Sequence, residues 1–412
     1  MFRSKTRSVG ATASVYCTGL MITHRRNCQA MAQEMDGVND QRLHHLLTQA
    51  KWEASGVMDR ITVDFYRHLQ SYHPDEDIAL LLDESSFPKK GNQSAGVNRQ
   101  YCGQRGKIDN CQVGVFAALN GGSMVNLVQA ALYQPDQNIS KIDHARDIIS
   151  HVTTDLQIPV QWVGFDAFYG RDTSFLSALA ETGQEFIADV PGNIHVWLSC
   201  FEMEIPGKLP GKGRKPTRLK PTTASILIRD YCSSLRRKDW QKLTIRYQSK
   251  GKLKAKFHRK DVYVLNPLTS QAMKLILLVR KDKDGTIKYS LCHAPKYVRT
   301  RVLAYRQCKR YFIEQAFRDT KKELGLNEYQ TRSEVGWLRH MALCMLAQLF
   351  INTEKLRQKV RHHLKLTTGE IVRCIKMKVL FPDSYSEKVF SIIRWKQPFR
   401  KSTLDNLFYL RM

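Results

Sequence analysis

The chain has 412 residues, of which 42% are hydrophobic, so it can bury one large core or divide into two or three domains. Lysine and arginine total 65 against 38 aspartate and glutamate residues, which gives a formal charge of +27. A surplus of this size favours a polyanionic partner, with nucleic acid first, over a merely solvated basic surface.

Two features limit the cellular setting. No run of 18 apolar residues is present, so no membrane span is expected. The ten cysteines are scattered, and none forms a CxxC pair, which favours neither a zinc ribbon nor a disulfide framework. We expect most of them to be buried thiols in a reducing cytosol.

The chain begins with a predicted helical region, residues 1–75, in which apolar residues recur at spacings of three and four. From 76 to 195 the pattern alternates between strands and helices. "IALLLD" predicts a buried strand that ends at Asp83, and "VQWVGFD" predicts another that ends at Asp166. Between them, two apolar runs meet at Asn120-Gly121-Gly122, which predicts a hairpin. A hairpin followed by β-α-β units predicts a mixed sheet flanked by helices.

Residues 196–298 form a predicted basic, β-rich insertion. It opens with a Pro/Gly/basic linker at 206–221, which is not expected to form regular structure. Between 207 and 260 there are 18 lysines and arginines against two acids, so the region presents cations. The segment 299–360 returns to helices, and the basic tail 361–412 is also predicted to be helical.

Three acids are candidates for chemistry. Asp83 and Asp166 follow buried strands, and strand ends gather functional groups in open α/β sheets. Glu314 lies in an amphipathic helix, with Arg310 four residues before it and Lys321 seven after it, so all three are predicted on one face. Three carboxylates suit a pair of Mg²⁺ or Mn²⁺ ions that act on phosphodiesters.

The ordinary interpretations stay open for each acid taken alone. A strand-end aspartate is more often a turn former or a helix cap, and charges spaced along a helix often form a surface ion network. Glu84 and Asp189 compete for the same role, although strand alternation places Glu84 on the opposite face from Asp83. Lys89 and Lys90 follow the strand of Asp83, where they can meet phosphate.

Four segments together resemble bacterial insertion-sequence transposases of the DDE superfamily: "LDESSFPKKGNQSAGVNRQYCGQRGKIDNCQVGV", "GFDAFYG", "RYFIEQAFRDTK" and "QRLHHLLTQAKW". They cover most of residues 25 to 350, and the first is highly specific. The chain departs from the family pattern at Gln307, where the signature helix usually has tyrosine, and at Ser85-Ser86, where relatives often have Thr-Gly.

The resemblance implies a ribonuclease-H-like catalytic core, interrupted by the β-rich insertion before the glutamate helix. It implies that Asp83, Asp166 and Glu314 are the catalytic and metal-binding triad, with two Mg²⁺ or Mn²⁺ ions. It also implies that Arg310 and Lys321 hold DNA phosphates near the cleavage point. Lys89, Lys90 and Tyr169 are further candidates for contact with DNA.

The expected reaction is cleavage at the element ends, followed by joining of the 3′-hydroxyls to target DNA. The expected partners are double-stranded DNA, as terminal inverted repeats bound by region 1–75 and as target, and a second copy of the chain on paired ends. The expected location is the bacterial cytoplasm, at the nucleoid. Two alternatives remain: a metal-dependent nuclease without strand transfer, and an inactive descendant that only binds DNA.

Overall fold

The computed structural model describes residues 2, 9–207, 216–248, 251–362 and 366–380. Half of the predicted linker, residues 208–215, and the tail beyond residue 380 lie outside these ranges. Among the described residues, no helix has the length and hydropathy needed to cross a bilayer. All ten cysteines are free; seven are buried, and Cys200 is exposed.

The secondary structure comprises twelve α-helices and fourteen strands in the described part of the chain. The helices are α1 Gly10–Ile22, α2 Cys28–Glu34, α3 Asp40–Thr48, α4 Ala54–Tyr72, α5 Lys141–Ser150, α6 Ala167–Gly170, α7 Thr173–Glu181, α8 Ile228–Ser233, α9 Thr300–Lys309, α10 Tyr311–Leu324, α11 Glu334–His362 and α12 Thr368–Leu380. The strands are β1 Ala79–Pro88, β2 Asn98–Cys102, β3 Lys107–Gly121, β4 Met124–Tyr133, β5 Trp162–Phe165, β6 Phe186–Val190, β7 His195–Val196, β8 Met203–Glu204, β9 Lys220–Pro221, β10 Ile226–Leu227, β11 Gln241–Gln248, β12 Gly251–Asn266, β13 Gln271–Lys281 and β14 Ile287–His293.

The described chain divides into two compact units. Unit 1 contains the residues up to Val160 and those from Tyr311 onward, and unit 2 contains Gln161–Arg310. This division differs from the five segments expected from the sequence, whose functional boundaries stay a prediction.

In unit 1, the long strand β3 pairs antiparallel with β1, β2 and β4. The hairpin predicted at Asn120-Gly121-Gly122 is confirmed, because Gly121 pairs with Met124 and Gly122 has φ of +56°. Helix α11 contacts α1, α4 and β4. Its Trp337 is fully buried, and a Cβ on Gly114 would lie 2.7 Å from the Trp337 ring, so the helix and the sheet are in tight contact there.

In unit 2, six strands form one sheet in the order β11-β12-β13-β14-β6-β5. Strands β5 and β6 are parallel, which their crossover connection through α6 and α7 allows, and the other pairs are antiparallel. Because β14 pairs with β6, the long strands of the predicted insertion extend the sheet that contains β5. The expected fold class, α/β with a mixed sheet flanked by helices, is confirmed.

Two details of the predicted elements are wrong. The last residues of the linker, Lys220 and Pro221, form the short strand β9, which pairs with β8. The segment "YRQCKRYFIEQAFRDTKKELGL", which starts at Tyr305, predicts a helix with a stop at Gly325. In the structure this segment belongs to two helices, α9 and α10, with Arg310 between them in a helical conformation, at φ −51° and ψ −34°. Its predicted stop is confirmed, since Gly325 has φ of +62°.

Candidate active site

Asp83 lies in the middle of β1 and not at its end. The strand continues to Pro88 because Ser85 to Pro88 pair with residues 111 to 114 of β3, a long-range contact that the local pattern does not reveal. Asp83 itself pairs with Phe116, and its carboxyl group is partly buried. The amide N–H of Glu84 donates a hydrogen bond to Asp83 Oδ1 at 2.8 Å, which holds the carboxylate close to the strand.

The separation expected between Asp83 and Glu84 is wrong. One carboxylate oxygen of each lies within 4.8 Å of the other, and both side chains are partly buried. Strand alternation determines the direction of Cβ, but the oxygens are two or three bonds further out and can still approach. Glu84 also lies 3.8 Å from Lys141 Nζ, measured from its Oε1, so it is part of a charged group at this strand.

Glu314 and Lys321 lie on α10, which packs against β1 and β3 in the same unit as Asp83. The Phe317 ring, one turn after Glu314, is 5.3 Å from the Phe116 ring, centre to centre. Burial lowers the pKa of Lys321, and the nearby charge of Asp83 acts in the opposite direction. The helix that carries the predicted third acid therefore brings its lysine close to the first acid.

The two lysines after β1 differ in their surroundings. Lys89 is partly buried, its Nζ lies 3.7 Å from the centre of the Tyr329 ring, and burial lowers its pKa to about 8. Lys90 is exposed. A cation–π contact of this kind stabilises the packing of Tyr329. Lys90 is therefore better placed than Lys89 for the predicted contact with DNA phosphate, and both contacts stay predictions.

Asp166 lies in unit 2, directly after β5, where it caps the N-terminus of α6. The Phe168 N–H donates a hydrogen bond to its Oδ1 at 2.9 Å. Burial raises the pKa of Asp166, and the Asp189 carboxylate acts in the same direction. Two amide N–H groups and the charge of Arg310 act against this rise. The carboxylate is thus held in a defined orientation in a partly desolvated position.

The Tyr-Gly pair after Asp166 has a packing explanation. Tyr169 is 0% exposed, and its ring packs near Phe165 and Phe175. A Cβ on Gly170 would lie only 2.0 Å from the Asp189 carbonyl oxygen, so glycine lets α6 lie directly on β6. A side chain buried in this way is not on a surface that DNA meets, so the structure gives no support to the predicted DNA contact of Tyr169.

A polar network in unit 2, which the sequence analysis missed, surrounds Arg310. Its Nε donates to Asp189 Oδ2 at 2.9 Å, and only 14% of its side chain is exposed. Ser290 Oγ donates to the other Asp189 oxygen at 2.7 Å and accepts from Gln307 Nε2 at 2.7 Å. Gln307, the departure from the family pattern, is therefore buried and helps to orient Asp189. No spacing in the sequence pairs Gln307 with Ser290.

The predicted triad is distributed over the two units: Asp83 and Glu314 belong to unit 1, and Asp166 belongs to unit 2. Asp83 lies on β1 and Glu314 on α10 in unit 1, and Asp166 lies between β5 and α6 in unit 2. The assignment of catalytic and metal-binding roles to these three residues stays a prediction.

Comparison with known families identifies the class of protein. The family model described as DDE superfamily endonuclease matches residues 2–252, more than half of the chain. The chain belongs to the DDE superfamily of endonucleases. The family predicted from the sequence segments is thereby confirmed.

This DDE superfamily member is also similar to a curated protein, the probable transposase for insertion sequence element IS701 of Microchaete diplosiphon. The two are 28% identical over 168 residues, which cover 38% of this chain and 42% of the relative. The match thus spans less than half the length of that relative.

Two solved structures are also similar. The piggyBac transposase synaptic complex with hairpin DNA matches 96% of this chain and 78% of that one, at 10% identity and a TM-score of 0.45. The NurA nuclease from Sulfolobus solfataricus matches 65% of this chain and 85% of that one, at 9% identity and a TM-score of 0.28. The family assignment rests on the family model and not on these two structures.

Proposed function

We propose that this chain is a DNA transposase. It cleaves a phosphodiester at each end of an insertion sequence and joins the freed 3′-hydroxyls to target DNA. The observation that carries the proposal is the position of Asp83 in a chain of the DDE superfamily: it lies on a strand against which the helix of Glu314 and Lys321 packs. The similarity to a probable insertion-sequence transposase supports the same activity.

The donor set fits divalent metal ions. Asp83, Asp166 and Glu314 offer hard carboxylate oxygens, the ligands that Mg²⁺ and Mn²⁺ prefer, and all three side chains are partly buried. When bound to the three acids, two such ions supply Lewis-acid activation of a nucleophile and of the leaving oxygen. Burial around Asp83 and the amide N–H groups at Asp166 orient the carboxylates before any substrate binds.

The reaction consists of two in-line displacements. Water attacks phosphorus and the bond to the 3′-oxygen breaks, which leaves a 3′-hydroxyl on the element and a 5′-phosphate on the flank. That 3′-hydroxyl then attacks a target phosphodiester and displaces a target 3′-oxygen. Lys321, near Asp83, and the exposed Lys90 contribute positive charge where the phosphates bind.

The proposal also covers the oligomeric state, the regions that bind DNA and the cellular location. Two ends have to be cut and joined together, so the active species is a homodimer on paired ends. The N-terminal helices α1–α4 bind the terminal repeats, and the basic strands of unit 2 contact the DNA backbone. The protein acts on the bacterial chromosome in the cytoplasm.

The test compares Asp83→Asn with Asp136→Asn, the same chemical change at an exposed turn after β4. Each protein is incubated with DNA that carries the end of the chain's own element, with and without Mg²⁺. We expect Asp83→Asn to abolish cleavage, to weaken Mn²⁺ binding measured by calorimetry, and to leave DNA affinity close to wild type.

Each outcome decides between the candidate functions. Cleavage by Asp83→Asn at the wild-type rate contradicts the triad. Cleavage by the wild-type protein without joined products favours the nuclease alternative. DNA binding by the wild-type protein with no Mg²⁺-dependent cleavage favours the inactive descendant.

A further inference from the structure

The hairpin formed by β2 and β3 presents an exposed apolar pair. Tyr101 is 64% exposed and Ile108 is 62% exposed, and the two residues are directly opposite each other in the antiparallel register. Directly opposed residues have Cβ atoms about 5 Å apart, so these side chains form one continuous patch.

The hairpin is firmly attached to the rest of unit 1. On its other face, Cys102 and Cys111 are buried and form a small core with Val113, against which Tyr133 packs. The turn of the hairpin is tied to β1, because the Gln104 N–H donates to Ser86 Oγ at 3.1 Å. The exposed pair is therefore the outer face of an ordered element.

The charged residues around the patch of Tyr101 and Ile108 indicate which kind of partner binds there. Arg99, Arg105, Lys107 and Lys90 are all exposed, and of these Arg105 pairs with the neighbouring Asp109. A second copy of the hairpin would bring the same basic side chains against these ones, and the like charges would repel. Two side chains are also far smaller than the area of about 800 Å² per partner that a stable protein interface needs. A polyanion with apolar faces, such as DNA with its stacked bases, fits both the charge and the size.

The position of the hairpin links it to the proposed cleavage site. Ser86, which holds the turn, is three residues after Asp83 on β1, about 10 Å at the usual rise of a strand. Asp83 and Cys102 both act on the pKa of Lys321, so this lysine lies near the acid and near the inner face of the hairpin. A duplex whose cleaved phosphate is at Asp83 would pass the hairpin within a few base pairs, given a spacing of about 3.4 Å per base pair.

We propose that Tyr101 and Ile108 form an apolar wedge that contacts DNA bases beside the bond to be cut. Tyr101 stacks on a base and Ile108 fills the adjoining space, while Arg99, which strand alternation places on the same face as Tyr101, binds a flanking phosphate. Apolar side chains that enter a base step unstack it and kink the duplex. The kink turns the phosphate toward the acids. This inference rests on the proposed function for the identity of its substrate.

The test uses duplexes that carry the end of the chain's own element, with 2-aminopurine at successive positions around the cleaved bond. Binding is measured in the Asp83→Asn background, where the DNA stays intact. We expect 2-aminopurine fluorescence to rise at one or two positions, because unstacked 2-aminopurine is brighter. The double variant Tyr101→Ser/Ile108→Ser should lose this rise. Tyr101→Phe should keep it, since a phenyl ring can also stack.

A matched control is Phe350→Ser, which removes an aromatic ring that is 44% exposed on α11 and should keep the rise. With Asp83 intact, the double variant should cleave at least about tenfold more slowly, the size expected when one stacked base is lost. Its melting temperature should match wild type, because both replaced side chains are mostly exposed.

The two proposals fail in different ways. If wild-type protein cleaves the DNA and the double variant gives the same cleavage rate and fluorescence, the wedge is wrong and the transposase proposal stands. If wild-type protein binds the DNA but does not cleave it, the transposase proposal fails, and the fluorescence alone decides the wedge. In that case, loss of the rise in 2-aminopurine fluorescence in the double variant supports the wedge. A double variant that keeps the rise overturns the wedge.

Discussion

Replacing Gly170 by alanine tests how closely the core of unit 2 controls Asp166. The added Cβ would lie 2.0 Å from the Asp189 carbonyl oxygen and 3.1 Å from the carbonyl carbon. A tolerable contact between a methyl group and an oxygen is more than 3 Å, so α6 and β6 must separate by about 1 Å. Both obstructing atoms belong to the backbone, which cannot rotate away as a side chain can.

The expected cost follows from this geometry. Overpacking typically destabilises by 1–3 kcal/mol, and an obstruction by backbone puts Gly170→Ala at about 3 kcal/mol. Unit 2 has about 150 residues, for which about 2–4 °C of melting temperature corresponds to 1 kcal/mol, so its transition should fall by about 6–12 °C. Asp166 caps α6, so it moves with the helix, and a misplacement of about 1 Å can lower the rate of catalysis about 100-fold.

The assay combines differential scanning fluorimetry, cleavage of DNA and equilibrium DNA binding. Gly56→Ala is the control, because Gly56 is an exposed residue of α4 with no atom within 4 Å of an added Cβ. That variant should be slightly more stable than wild type, by up to about 1 kcal/mol. If Gly170→Ala melts and cleaves like wild type, the close contact between α6 and β6 does not position Asp166, and the reasoning is refuted.

Further predictions concern stability, pH and salt. His340 is buried, with its pKa lowered to about 4, so below pH 6.5 the unfolded chain binds a proton that the folded chain rejects. Stability should therefore fall between pH 6.5 and 4 by up to about 3 kcal/mol, and denaturation of His340→Gln should show a flatter pH profile. Arg339→Met removes hydrogen bonds to the carbonyls of Leu47, Ala50 and Trp52 and should cost about 2–3 kcal/mol in urea unfolding, whereas an unchanged midpoint would contradict this role. Replacing the lysines of residues 250–260 by glutamine should flatten the dependence of log Kd on log salt, and an unchanged slope would place them away from DNA.

The sequence correctly predicted turns and helix ends, because their conformation depends on residues that are adjacent in the chain. The Asn120-Gly121-Gly122 turn is formed by residues whose own conformations favour it. The segment "DTSFLSALAETG" likewise predicts a short helix with Asp172 as its N-cap and Gly183 as its stop. Helix α7 does have Asp172 at its N-cap, and Gly183 follows its end with φ of +76°. In the same way, Asp166 follows a short buried strand and begins a helix, and both signals are local.

Two of the errors and omissions have a different cause, which is pairing between distant residues. The extension of β1 beyond Asp83 depends on β3, some 25 residues later. The network of Gln307, Ser290 and Asp189 joins residues more than 100 positions apart. The face of Glu84 could not be derived from alternation, because side-chain length decides where its oxygens lie.

The distribution of the cysteines determines how the protein can be labelled. Cys200 is exposed, Cys17 and Cys28 are half-buried, and the other seven thiols are covered by packed side chains. Burial raises the pKa of Cys17 to about 12 and that of Cys28 to about 11, so neither side chain forms much of the nucleophilic thiolate near neutral pH. A maleimide dye should therefore attach first at Cys200, in unit 2. A fluorophore can thus report DNA binding by that unit without a cysteine-free background.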